Sequence, residues 1–444
     1  MNHDLTRGPV WKALLNFVLP FLAASILQFL YSVVDMIVVG RFADAAAISA
    51  VNTAGQTMQL VTTIVQGIAT GGTVLIGQYI GGRNSDGVSK TVSSMLWIFL
   101  GMALLMTFGM LVANRGIVSL TRVPEEAVAD AVAYLKICSF GIPFIAGYNG
   151  ISGILRGLGD SKNPMYFVTC SCGFNIAGDF FLVGALHMGA AGAALATVLA
   201  QLLAFIMSVI ILQRSEYRLT LSSIQPQRGK VLQVLKLGTP LAAQDFLANL
   251  SFLLITIIVN RMGVDKSAAV GVVERIIGFC MLFPIAFLSA LSAFTAQNIG
   301  AKQPERATLG LRLAITLCAL IALVIVGVSE LWPEAMVSIF TTDASVIFHG
   351  TAYFRTYALD IFMVSFVFCL NGFYSGCGRT GFTMANSLIS TFAVRVPLVF
   401  AVSLIPDVSL MLIGVAAPAA SFVQIIMQLV YYRSLGNSLQ SLKL

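Results

Sequence analysis

Four polar side chains lie inside long apolar stretches of this chain: Asp35, Asn175, Asp179 and Thr197. Asp179 follows Asn175 by four residues, so a helix places both on one face. Two carboxylates, an amide and a hydroxyl offer hard oxygens, a set that suits Na⁺ or a proton shared between two acids. The competing reading is that each acid simply hydrogen-bonds a neighbouring helix. Further charges sit in apolar surroundings at Asp245, Glu274, Asp360 and Arg395. Arg395 calls for a carboxylate partner, Asp360 or Asp245. Such a network is either a fixed cation with a working role or a structural clamp. Glu274 and Arg275 read as a pair reaching for the membrane surface.

The elements that hold these residues must be membrane-spanning helices. Of the 444 residues 58% are hydrophobic and 10% charged, with mean hydropathy +0.90, whereas soluble chains carry about 25% charged residues. The apolar runs have the length of a helix crossing a bilayer, about 20 residues, and barrel strands would be about 10 and alternating. Twelve spans are expected, at 13–39, 48–80, 94–113, 133–153, 165–185, 190–213, 237–260, 268–298, 310–330, 352–375, 382–404 and 409–432. The fold class is all-α and integral to the membrane. A charged residue within such a span costs at least about 2.5 kcal/mol and persists chiefly where it has a role. No cleavable leader is expected, because the first apolar run continues as a full span.

The chain also repeats itself at an offset of about 219 residues. Gln78-Tyr79-Ile80-Gly81-Gly82-Arg83 returns as Gln297-Asn298-Ile299-Gly300-Ala301-Lys302, and Gly153 to Gly159 returns as Gly372 to Gly378. Pro20 and Pro240 each fall in the first span of a half. Six spans per half make the repeat parallel, two six-helix lobes at 1–213 and 237–444 joined by a polar linker at 214–236. Such lobes are expected to face a central cavity, for which Gln28, Tyr31, Met58, Gln244 and Asn249 are candidate lining residues. Adaptable apolar and aromatic walls suit bulky, amphipathic, often cationic ligands.

Of the 26 Lys and Arg residues, seventeen fall on one side of this topology. The other side holds Arg41, Arg115, Arg122, Arg261 and Lys266. The bias puts both termini in the cytoplasm and the chain in a plasma or inner membrane. It also accounts for the net charge of +7 without nucleic acid as a partner.

No GxxxxGK[ST] loop is present, so ATP is not the direct energy source on this chain and no ATP-binding domain is expected. HExxH and GxSxG are likewise missing, against an intramembrane enzyme, and no cofactor is implied beyond a coupling ion. The seven cysteines show no metal-ligand spacing; Cys170 and Cys172 read as packing residues. With both lobes on one chain, a monomer suffices.

Several of these pieces together resemble the multidrug and toxic compound extrusion (MATE) transporters. They are Leu19-Pro20, Asp35 fifteen residues later, Val38-Val39-Gly40-Arg41, Gly77-Gln78-Tyr79-Ile80-Gly81-Gly82, Leu155-Arg156-Gly157-Leu158-Gly159-Asp160, and Asn175-x-x-x-Asp179. The resemblance spans essentially the whole chain. It implies alternating access and export of amphipathic, often cationic drugs as small-molecule substrates, by antiport against H⁺ or Na⁺. It also implies a first-lobe cation site at Asp35, Asn175, Asp179 and Thr197, Na⁺ included, and a hinge at Pro20. The second-lobe acids depart from the NorM-type pattern: Val364-Ser365 stands where an acid is expected, and Asp360 and Asp245 are displaced. A first-lobe mechanism of the DinF-like kind is therefore favoured. The rival reading is a flippase for a lipid-linked or amphipathic conjugate, which calls for a strongly cationic cavity or extra spans. A passive channel fits the kinked repeat less well.

Overall fold

The computed structural model describes residues 4–121, 123–216 and 225–440, with side chains up to 434. Of the residues named above, Arg122 falls outside this set, as does part of the 214–236 linker. Among the described residues twelve helices are long and apolar enough to cross a bilayer, and no strand occurs there. In chain order the spans are Val10–Phe42, Ala45–Gly81, Ser85–Leu120, Glu125–Gly157, Lys162–Ala185, Gly189–Gln213, Arg228–Asn260, Val264–Gly300, Pro304–Leu331, Ala344–Gly376, Thr380–Ser403 and Leu410–Ser434. They are called spans one to twelve below. Each contains the apolar run expected of it, apart from one residue at the end of span eleven and one at the start of span twelve, and several helices extend beyond those runs where polar residues cap them. Asp44 accepts from Ala47 N at 2.8 Å, Asn84 from Gly87 N at 2.8 Å, and Asp343 from Ser345 N at 2.8 Å. A side-chain oxygen at the N-cap answers a backbone donor that the helix leaves free.

The internal repeat is visible in the backbone. Span two ends with Gly82 N donating to Gln78 O, Arg83 N to Ile80 O and Asn84 N to Tyr79 O. Span eight ends with the same three bonds, from Ala301 to Gln297, Lys302 to Ile299 and Gln303 to Asn298. Arg83 and Lys302 occupy the left-handed region, at φ 54° and 57°. The turns after spans four and ten match in the same way, with Gly159 at φ 90° and Gly378 at φ 76°. Glycine tolerates that conformation freely.

Packing repeats too. A Cβ on Gly153 would lie 2.9 Å from Ala69 O, and one on Gly372 would lie 2.6 Å from Leu288 O. Span two thus packs on span four as span eight packs on span ten, backbone against backbone. Small residues permit that approach where lipid offers no hydrophobic drive between helices.

The contacts divide the chain into two units, and the division does not follow the 214–236 linker. Leu19–Ala242 belongs to the first unit, while Leu5–Val18 belongs to the second with the residues from Ala243 onward. The changeovers fall at Val18/Leu19 and Ala242/Ala243, beside Pro20 and Pro240. A proline inside a helix removes one backbone bond and loosens it there.

The opening of each half is gripped by the repeated motif at the end of span two or span eight. In the second unit Leu5 N donates to Gln297 Oε1 at 3.2 Å, and Arg306 donates to the carbonyls of Leu5, Arg7 and Gly8. In the first unit Lys230 lies over the Tyr79 ring at 4.1 Å and Tyr79 OH donates to Gln233 Oε1 at 3.2 Å. Ser93 Oγ donates there to Gln225 O at 3.0 Å.

Candidate functional site

The first unit brings Gln28, Tyr31, Asn175 and Thr197 to one small cavity of about 20 Å³, together with Ser171 and Gln201. That is room for one water-sized occupant. One turn further along span one from Tyr31 stands Asp35, and one turn further along span five from Asn175 stands Asp179. The two carboxyls approach each other there. The site is therefore two layers deep, amide and phenol in one and a pair of acids in the next.

Local sequence explains the arrangement. Span six opens with a run of small residues, Gly189 to Ala194. A Cβ on Gly178 would stand 3.1 Å from Ala196 Cβ, so spans five and six are flush at this level. That places Asp179 and Thr197, each adjacent in sequence to a contacting residue, on neighbouring helices at the same level. Directly after Asp179 the helix widens into a π-helical stretch, Phe180–Ala185, a feature frequent at functional sites.

The polar atoms of this cluster are unanswered by protein. Asn175 is 2% exposed and Asp179 0%, yet both amide atoms of Asn175 and both oxygens of Asp179 lack a hydrogen-bond partner in the structure. Asp35 Oδ1 and Gln201 Oε1 share that condition. Buried polar groups are nearly always bonded, and exceptions call for an explanation. Oxygens of this kind fit a proton or a monovalent hard cation. Among the described residues no group of three or more His, Cys, Asp or Glu side chains gathers as metal ligands.

Gln201, Ser171 and Tyr148 also line the cavity and were not singled out in the sequence. Gln201 lies four residues after Thr197, on the same helix face, and that spacing was the available signal. Met58 is 8% exposed and packs in the core with Val38, Ala54 and Val61. Asp245 and Asn249 lie on an exposed part of span seven, and Asn249 donates to Asp245 O at 2.8 Å. Gln244 is half-buried, with Oε1 unanswered.

In the second unit Arg395 closes a π-helical stretch, Ile389–Arg395. Its Nη2 donates to Tyr357 OH at 3.0 Å, and its guanidinium lies 4.5 Å from the Phe252 ring centre. Asp360 and Glu274 are within electrostatic reach of it, but no ion pair within 4.0 Å joins Arg395 to Asp360 or Asp245. Arg395 thus departs from the expected pairing: aromatic faces and a phenol oxygen hold the cation. Glu274 likewise forms no ion pair with Arg275 and lies within electrostatic reach of Arg395. Asp360 is 5% exposed, beside Ser421 of span twelve, with Oδ1 unanswered.

The decisive comparison covers both halves. A model of the MatE family matches residues 20–181 and again 240–401, two copies that open at Pro20 and Pro240. The chain belongs to the MatE family. Among curated MatE relatives it is similar to the probable multidrug resistance protein YoeA of Bacillus subtilis (strain 168), 27% identical over all of this chain and 98% of that one. It is also similar to the probable multidrug resistance protein YpnP of the same organism, 26% identical over 89% of each. A solved outward-facing conformation of a multidrug resistance MATE family transporter superposes with a TM-score of 0.91 at 21% identity, over 99% of this chain and 98% of that one. That likeness establishes the MATE fold for this chain. The twelve-span reading and the parallel repeat agree with it.

Proposed function

We propose that this protein is a secondary antiporter that exports amphipathic, often cationic organic compounds by alternating access, driven by inward flow of H⁺ or Na⁺. The observation that carries the reading is the meeting of Asp35 and Asp179 above Asn175, whose buried polar atoms have no protein partner. Its relatives YoeA and YpnP are named probable multidrug resistance proteins, which supports the substrate class. No nucleotide enters the scheme, and a single chain carries both halves.

Asp35 and Asp179 form the coupling pair, with Asn175 and Thr197 as further oxygen ligands. With both acids ionised, like charges face each other at short range. A proton shared between them, or a Na⁺ between them and the Asn175 and Thr197 oxygens, removes that repulsion and draws span one toward span five. Pro20 lets the first half of span one hold its place while the second half responds. If substrate favours the opposite arrangement, binding of ion and substrate are reciprocally coupled, which is the condition for antiport. Both termini lie in the cytoplasm of a cell whose plasma or inner membrane holds the protein, as the basic residues indicate.

The test is efflux of a fluorescent cationic dye from proteoliposomes under a pH gradient or a Na⁺ gradient, for wild type and for Asp35→Asn. Gradient-driven movement that disappears in the variant supports the reading and identifies the ion. Equal movement by wild type and variant would overturn it.

A further inference from the structure

The second unit carries another cavity, unconnected with the acids of the first. It measures about 390 Å³ and lies where spans seven and eleven end and span eight begins. The volume is within the usual range for small-ligand pockets, about 300–1,000 Å³.

Its walls are of two kinds. Phe400, Leu404 and Ile405 are 50%, 69% and 51% exposed, and they form an apolar side at the end of a membrane span. Arg261 and Lys266 supply two cations. Lys266 Nζ donates to Val408 O at 2.9 Å, which fixes its ammonium at the rim while leaving its charge unneutralised. The Arg261 guanidinium has neither an ion pair nor a side-chain hydrogen bond among the described residues. Asp407 is the one carboxylate in the lining, so the pocket keeps an excess of positive charge. On the sequence topology these are two of only five basic residues on that side, and they converge on one cavity.

We propose that this cavity binds the headgroup of an anionic phospholipid, with the phosphate between Arg261 and Lys266 and the first acyl carbons against Phe400, Leu404 and Ile405. A guanidinium presents a donor fork matched to phosphate oxygens. Basic pockets at the ends of transmembrane helices suit such headgroups. A soluble anion would use the cations but leave the apolar wall bare; a neutral lipid would use the wall but leave Arg261 unanswered. An anionic lipid satisfies both. Because spans seven, eight and eleven all contribute, the occupied site ties their ends together.

Native mass spectrometry of the full chain tests this. The detergent-solubilised protein is offered equal amounts of phosphatidylglycerol and phosphatidylcholine. We expect one tightly retained phosphatidylglycerol, bound about fivefold more weakly in Arg261→Gln. Arg115→Gln, which removes an exposed cation of span three far from this pocket in sequence, should leave retention unchanged. Leu404→Ser should weaken retention as well, since it removes the apolar wall and spares the charges. Equal retention of the two lipids, or an equal loss in Arg115→Gln, would overturn the proposal. So would displacement of the lipid by millimolar glycerol phosphate, which would make the site one for a soluble phosphate. The readout is binding, so it stands apart from transport and from the identity of the coupling ion.

Discussion

Arg395 of span eleven donates to the phenol oxygen of Tyr357, three residues before Asp360 on span ten, at 3.0 Å. A cation at membrane depth is thus held by aromatic groups, with its two nearest acids at a distance. The guanidinium sits over Phe252 as well, and a desolvated cation–π contact contributes about 2 kcal/mol. Arg395→Met should therefore destabilise the protein by about 3 kcal/mol, because Glu274 and Asp360 lose the charge that offsets them. Tyr357→Phe should cost about 1.5 kcal/mol. Arg395→Lys should not restore stability fully, since an ammonium cannot stack on the ring as a guanidinium does. Thermal unfolding in detergent checks the order of the three.

Asp35→Asn and Asp179→Asn should each abolish gradient-driven export while leaving the amount of folded protein close to wild type. An amide keeps the shape and removes the like charge. The wild type should also unfold at higher temperature when its coupling ion is supplied, by about 2.7 kcal/mol of stability at a hundredfold excess over the dissociation constant. For a proton the gain appears on lowering pH, and for Na⁺ on adding the salt. Either variant should lose the gain, and a retained gain would place the ion elsewhere.

Pro20→Ala should leave the fold in place and slow transport. Span one is helical from Val10 to Phe42 with this proline inside it, and the alanine restores one backbone donor. We expect stability equal to or above wild type, with dye efflux reduced at least tenfold. Efflux at the wild-type rate would remove the hinge from the mechanism.

Gly153→Ala and Gly372→Ala should each cost about 1–3 kcal/mol, since the new methyl meets a carbonyl oxygen of the neighbouring span and the helices must shift. The two positions lie in different units, so the double variant should show a simple sum. A marked departure from additivity, measured by denaturant or heat, would mean that the two positions are energetically coupled.

Much of this architecture was legible because membrane helices must be long, apolar and internally hydrogen-bonded. Spans, repeat and family could be read from hydropathy and from pairs such as Gly153 and Gly372. The clustering of first-unit polar groups was legible for the same reason: Asp35, Asn175 and Asp179 are conspicuous in apolar surroundings, and the i, i+4 spacing of Asn175 and Asp179 fixes their face. The setting of Arg395 was not. A charge in a span suggests an opposite charge, and the sequence does not show that Phe252, 143 residues away, offers a ring instead. Nor could Met58 be placed, since a methionine in a span serves core and cavity equally well. The exchange of helix openings between units was hidden too, because it depends on where a continuous helix changes neighbours.

That exchange bears on how the chain is made. Leu5 is bonded to Gln297 and Arg306, contacts 292 and 301 residues apart in sequence. The opening of span one therefore waits for spans eight and nine before it finds its place. Contacts of such sequence separation close late. Until then the Leu14, Phe17 and Val18 side chains, buried in the finished protein, have no core to enter. Biogenesis cannot proceed as two halves completed in turn. A first half synthesised alone is left with an unsatisfied apolar stripe, and two halves produced as separate polypeptides have reason to find each other.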